Sequence, residues 1–147
     1  MIIPVEVTNP KTNKFKIINF LIDTGADISA ICILHAESLG LKSKGFRGVL
    51  DADGDPINAP VYDIDIDIGG CRLKHVEMVG LNLTSVPFGG LVGNNILNKG
   101  TLVGDTGSWS FSIEGETCAL GINRYYLLAG VFGLVAGITG TLLLTRK

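Results

Sequence analysis

The chain has 147 residues, 46 % of them hydrophobic and 18 % charged, one domain's worth of sequence and enough to bury a core of its own. Twelve basic and 14 acidic side chains leave a net charge of -2 with no concentrated Lys and Arg patch, which removes the electrostatic case for nucleic-acid binding. The three cysteines, Cys32, Cys71 and Cys118, are odd in number, widely spaced and without a Cys-x-x-Cys pair, so neither a disulfide framework nor a zinc site is indicated and reduced, buried thiols are expected.

Met1 to Val7 has no basic stretch and no long apolar run, and so does not read as a signal peptide. Phe15 to Ile22 is apolar and β-branched and predicts a strand. Ala30 to Leu39, ended by Gly40, predicts a short helix. Val61 to Ile68 alternates strictly and predicts a half-buried strand, followed by further strands at Arg72 to Val79 and Trp109 to Ile113. A second short helix is predicted at Asn95 to Asn98, closed by Lys99-Gly100. Clusters of Gly, Asn, Asp and Pro at Asn9 to Asn13, Asp53 to Asp55, Gly69-Gly70 and Asp105 to Ser108 supply the turns. Residues 1 to 121 therefore read as a small all-β domain, closed barrel or sandwich, with one or two short helices and no internal repeat.

Residues 122 to 126 form a short join to Leu127 to Thr145, 19 residues without a charge. At about 1.5 Å per residue this just crosses a hydrocarbon core of roughly 30 Å. Arg124, Tyr125 and Tyr126 before it and the basic tail Arg146-Lys147 after it are the flanks of an anchored transmembrane helix. Ala129, Gly133, Gly137 and Thr141 recur every fourth residue, and the Gly133/Gly137 pair is a helix-dimerisation face. The expected topology is a single-pass, C-terminally anchored protein with its folded domain in the cytoplasm. Asn82-Leu83-Thr84 fits a glycosylation sequon that matters only for the opposite topology.

The chemistry concentrates at Phe20 to Ser29, where an apolar strand runs directly into Asp23-Thr24-Gly25-Ala26-Asp27. A carboxylate at a strand end, held by a tight turn, is rigidly placed and suits catalysis. The run Leu21 to Asp27 resembles the active-site loop of the retropepsin family of aspartic proteases, and Leu91-Val92-Gly93-Asn94-Asn95-Ile96-Leu97 resembles the second part of that family's signature. The resemblance covers roughly Val5 to Ile113 and implies a closed barrel. It implies Asp23 as the catalytic acid, with Thr24, Gly25, Ala26 and Asp27 shaping the loop. It also implies a flap hairpin from Gly48 to Ile68, with Ala52, Asp53 and Gly54 near its tip. Many relatives carry Arg after the glycine of the second motif, where this chain has Asn94 after Val92-Gly93, so the brace between that Arg and an acid such as Asp27 is missing.

One carboxylate is a poor catalyst of amide hydrolysis, whereas two facing carboxylates share a proton and divide into base and acid. One such loop per chain implies a symmetric homodimer with an Asp23/Asp23′ dyad, acting on protein or peptide substrates without metal or cofactor. A second Asp-Thr-Gly, Asp105 to Gly107, reads as a hairpin turn because no second Val-Gly motif follows it. Two alternatives remain: a catalytically inactive protease fold that binds extended peptides, and a membrane adaptor. Asp63, Asp65 and Asp67 share a strand face opposite Ile64, Ile66 and Ile68 and read as a solvated surface rather than a metal site. Asp51-x-Asp-x-Asp fails as a calcium loop because Pro56 and Tyr62 stand at its sixth and twelfth positions. His35 and His75 read as surface or hydrogen-bonded histidines, and Trp109 as core.

Overall fold

The computed structural model describes residues 1–51, 53–104, 108–113 and 116–120. Ten strands and two short helices follow in order. They are β1 (Ile2–Thr8), β2 (Phe15–Ile22), β3 (Ser29–Cys32), α1 (Ile33–Ser38), β4 (Gly45–Leu50) and β5 (Pro56–Ile68). After them come β6 (Cys71–Leu81), β7 (Gly90–Val92), α2 (Asn94–Leu97), β8 (Thr101–Gly104), β9 (Trp109–Ile113) and β10 (Glu116–Leu120).

The main sheet runs β1-β2-β7-β3-β6-β5-β4, and β5 pairs back onto β1 through Glu6 to Thr8. The six strands β1, β2, β7, β3, β6 and β5 thus close a barrel, with β4 added outside on β5. Closure removes most free edges, leaving the interior to apolar side chains. One cluster fills the barrel with Val5, Val7, Phe20, Ile64, Ile66 and Met78, among others. A second, built on Ile2, Leu21, Ala30, Val79 and Leu91, sits beside the loop that follows β2. The predicted strands at Phe15–Ile22 and Trp109–Ile113 are found as read, and those from Val61 and Arg72 extend further in the structure, to Pro56–Ile68 and Cys71–Leu81.

The helix expected over Ala30 to Leu39 begins later. Ser29 to Cys32 are all buried and form β3, parallel to β6 and antiparallel to β7, and only Ile33–Ser38 is helical. Four consecutive buried residues need apolar neighbours on both faces, which a sheet interior supplies and a surface helix does not. Gly40 follows with φ +68, a left-handed helix end open to glycine at little cost.

β8, β9 and β10 form a separate three-stranded sheet whose Phe111 enters the barrel cluster, while Trp109 is half-buried against it rather than wholly core. Gly104 pairs with Trp109 across β8 and β9, as expected of hairpin arms; residues 105–107 between them lie outside the described residues. This sheet also overturns the expectation of three reduced thiols. Cys118 on β10 reaches Cys71 at the start of β6, with Cα atoms 5.6 Å apart, and the two form a disulfide, whereas Cys32 is free and buried. Spacing along the chain gave no hint, because 47 residues of sequence are folded back on themselves between the two.

The acidic stripe of β5 is paired rather than simply solvated. His75 Nδ1 meets Asp63 Oδ2 at 2.8 Å, the His75 N–H donates to Asp65 Oδ1, and Arg72 Nε donates to Asp67 Oδ2 at 3.2 Å. The pairing register slips between Ile64 and Ile66, opposite His75 with φ +55, so a bulge turns the histidine back onto the stripe. The predicted span at 127–145 lies outside the described residues, among which no helix is long and apolar enough to cross a membrane.

Candidate active site

β2 is held on both sides at its end. The Ile22 N–H donates to Met1 O at 2.9 Å on the β1 side, and the Asp23 N–H donates to Val92 O at 3.0 Å on the β7 side. Asp23 is thereby fixed as the first residue of a turn, with its side chain fully buried. The Gly25 N–H donates to Asp23 Oδ1 at 2.8 Å and the Ala26 N–H to Asp23 O at 3.2 Å, closing the turn. Thr24 and Asp27 are exposed at its outer edge. Acid, glycine and alanine are therefore brought together as the sequence predicts.

The second motif packs against this loop. The Asn94 N–H donates to Ala26 O at 2.8 Å, the Asn95 N–H to Asp27 O at 3.1 Å, and Asn94 Nδ2 to Thr24 O at 3.1 Å. Gly93 is required by space: a Cβ there would lie 2.7 Å from the Ile28 carbonyl carbon and 2.9 Å from Ala26 O. Asn94 thus ties the loop to α2 within one chain.

Three further residues carry the site and were not singled out in the sequence. Asn95 Oδ1 accepts from the Ser29 N–H at 2.8 Å and Ser29 Oγ at 2.7 Å, while Asn95 Nδ2 donates to Glu77 O at 2.8 Å. The Gly93 N–H in turn donates to the buried Ser29 Oγ at 2.9 Å. The available signal was Ser29 itself, a hydroxyl within the apolar run Ile28 to Ile31, since a buried hydroxyl needs a partner. The Glu77 carboxylate faces the other way, meeting Lys44 Nζ and Arg47 Nη1, each at 3.1 Å, beside the root of the next hairpin.

That hairpin, β4 and β5 with Leu50 opposite Pro56, stands where the flap was expected. Asp51 Oδ1 accepts from the Asp53 N–H at 2.9 Å and the Asp55 N–H at 2.8 Å, and Gly54 turns the chain with φ +84. Asp53 and Gly54 are at the tip as read; Ala52 lies outside the described residues. Between the hairpin and the Asp23 loop is a pocket of about 300 Å³, with Val49, Leu50, Ile28, Val79 and Leu81 among its apolar walls and Asp27 and Arg47 also lining it. Among the described residues no three His, Cys, Asp or Glu side chains form a group able to hold a metal ion. Asp63, Asp65 and His75 lie outside this cleft, and His35 lies on α1, where it meets Lys16.

Residues 10–99 match the family model described as "gag-polyprotein putative aspartyl protease". Among solved structures, the protease of EIAV in complex with the inhibitor HBY-793 is similar with a TM-score of 0.52 at 20 % identity, over 67 % of this chain and 85 % of that one. The retroviral protease-like domain of Ddi1 from Leishmania major is similar with a TM-score of 0.54 at 11 % identity, over 84 % and 97 %. At these identities the likeness shows the fold alone. No curated protein matches the chain by sequence.

Proposed function

The chain belongs to the gag-polyprotein aspartyl protease family, and from that membership we propose that it is an aspartic endopeptidase working through an Asp23 dyad shared between two copies. The observation that carries the proposal is the Asp23 carboxylate, wholly buried and oriented by the Gly25 N–H, in a turn whose following residues Ala26, Asp27 and Ile28 line a cleft roofed by a hairpin. Among the described residues one chain supplies one such loop, so a two-fold partner would bring its own Asp23 opposite. Two carboxylates that close share a proton. The ionised one takes a proton from water, the water oxygen attacks the scissile carbonyl carbon, and the protonated one donates to the carbonyl oxygen. On collapse the carboxylate that took the water's proton gives it to the amine as the C–N bond breaks, and the other takes back the proton from the hydroxyl that returns to a carbonyl. Exposed Thr24 and Asp27 stand where the partner loop and the substrate main chain would meet them.

On the same reading, residues 127–145 tether the enzyme to a bilayer. Protein substrates are then other membrane proteins or chains near the membrane surface. The second reading is a module that holds extended peptides in the same cleft without hydrolysing them.

The test is cleavage of an unbiased peptide mixture by the detergent-solubilised full chain from acidic to neutral pH. Wild type is compared with Asp23→Asn, which retains an oxygen for the Gly25 N–H, and with Asp105→Asn. Activity lost only in Asp23→Asn, by about a thousandfold or more, supports the shared dyad. Loss in both variants with folding intact would point to a dyad within one chain. Peptide binding by wild type and Asp23→Asn alike, with no turnover, would overturn the enzyme in favour of the binding module.

A further inference from the structure

A second peptide-sized feature lies far from the cleft, on the outer half of β2. Strand geometry fixes which backbone groups are available there. Ile22 bonds toward β1, whereas Asp23 bonds toward β7 and Asn19 O accepts from the Gly89 N–H on that same side. With a period of two, the N–H and C=O groups of Phe15 and Ile17 also point away from β1. The β7 pairing reaches only Phe20 to Ile22, so among the described residues no strand covers the edge from Phe15 to Ile18.

This edge opens onto a groove of about 530 Å³ lined by Ile17, Leu34, His35, Val86 and Pro87. Apolar side chains of this groove stand exposed, Ile17 at 66 % and Leu34 at 58 %, while Phe15, exposed at 62 %, lines a separate groove further along β2. The edge is also preorganised. Buried Asn9 pins the β1–β2 turn by donating from Nδ2 to Leu39 O at 3.0 Å and accepting the Lys11 N–H at 2.9 Å. Charge selects the occupant. Asn9 to Ile22 carries Lys11, Lys14 and Lys16 and no acid. Two such edges from two copies would repel, as lysines on an edge commonly ensure. The same charges attract a strand that carries carboxylates.

We propose that the Phe15–Ile18 edge is a docking site for an extended peptide segment that alternates apolar and acidic residues and adds to β2 as a short strand. Main-chain bonds to Phe15 and Ile17 give the affinity, Ile17 and Leu34 seat the apolar side chains, and Lys14 and Lys16 meet the carboxylates. The site lies five to eight residues from Asp23, roughly 17 to 26 Å along the strand at about 3.3 Å per residue, and does not depend on catalysis.

The probe is a fluorescein-labelled octapeptide alternating glutamate with valine, beside its lysine–valine counterpart, titrated against the full chain in neutral detergent micelles on an Asp23→Asn background. The glutamate peptide should bind at least tenfold tighter than the lysine peptide and should slow hydrogen exchange at the Phe15 and Ile17 amides. Ile17→Pro, which removes one outward N–H while leaving the β1 bonds, should weaken binding at least tenfold. The double variant Lys14→Glu/Lys16→Glu, which leaves the backbone pairing of β2 with β1 in place, should reverse the charge preference. Binding indifferent to both variants, absence of binding, or exchange protection produced by phosphatidylserine vesicles and not by the peptide would each overturn the proposal.

Discussion

Asn95→Ala tests whether the site is held by side-chain hydrogen bonding inside one protomer. The substitution deletes three bonds of 2.7 to 2.8 Å: two from Ser29, which is fully buried, and one to Glu77 O. At a net value of about 1 kcal/mol each, with more where a buried donor loses its partner, the cost is about 3 kcal/mol or somewhat above. Unfolding entropy of about 2.1 cal/mol/K per residue over roughly 120 residues converts that to a fall in Tm of roughly 12 °C. Asn94→Ala is the matched control, since it removes a single exposed bond to Thr24 O and should cost about 0.5 to 1 kcal/mol, or at most roughly 4 °C.

Thermal unfolding of the two variants, followed by circular dichroism, measures the difference directly. Ser29→Ala shares a bond with Asn95, so the double variant should be less destabilised than the sum of the two by about 1 kcal/mol. Peptide cleavage should fall further than stability explains, because Ser29 also holds Gly93 against the Asp23 loop, and displacement of a catalytic group by about 1 Å can cost a hundredfold in rate. A Tm loss in Asn95→Ala no larger than in Asn94→Ala would refute the reasoning.

Four further outcomes follow from particular groups. Burial, and then the neighbouring Lys16, lower the His35 pKa from its ordinary 6.5, so the folded chain binds fewer protons there than the unfolded one. Its contribution makes stability fall as pH drops below about 6.5 and level off above, and His35→Gln should flatten the Tm profile between about pH 5 and 7. Cys118→Ser opens a loop of 47 residues and should cost about 4 kcal/mol of chain entropy, read as a lowered denaturant midpoint. Alkylation of the denatured chain, taken from cells without added reductant, should label one thiol, Cys32. That result would place the domain in an oxidising compartment, whereas three labelled thiols would return it to the cytoplasm. Replacing Gly133 and Gly137 with Ile should lower cleavage in membranes if the span aids pairing, and unchanged dimerisation in cross-linking would sink that idea.

The parts of the fold legible in the sequence are those where local pattern and tertiary demand agree. Phe15 to Ile22 is β-branched and apolar, and the turn after it is spelled out by Asp23-Thr24-Gly25, so strand and loop were both readable. Ala30 to Cys32 misled because they run without a break into the helical Ile33–Ser38, and only pairing with β6 and β7 marks them as strand. The Cys71–Cys118 bond and the Asn95 network were hidden for a related reason. Both join positions distant in sequence, 47 residues apart for the cysteines and 66 for Ser29 and Asn95, and no local period records such contacts. His75 is the surface, hydrogen-bonded histidine the sequence suggests, but its partner Asp63 was not legible, because a bulge invisible in the alternation of Val61 to Ile68 turns it there.

Asn94 gives this chain a particular division of labour. An arginine at that place would be a long cation able to pair with an acid; asparagine reaches only to Thr24 O, 3.1 Å away in the same loop. With Asn95 holding Ser29 and the Gly93 N–H held by Ser29 in turn, the Asp23 loop is fixed by bonds within one protomer. On the proposed reading, a partner is then needed for the second carboxylate rather than to order the first. If residues 127–145 anchor both copies as proposed, that interface can be weak, because confinement to a bilayer raises their effective concentration. Activity should therefore fall steeply on dilution of the chain in excess detergent while the Tm of each protomer holds, a separation that a dimer built to order its own loops would not show.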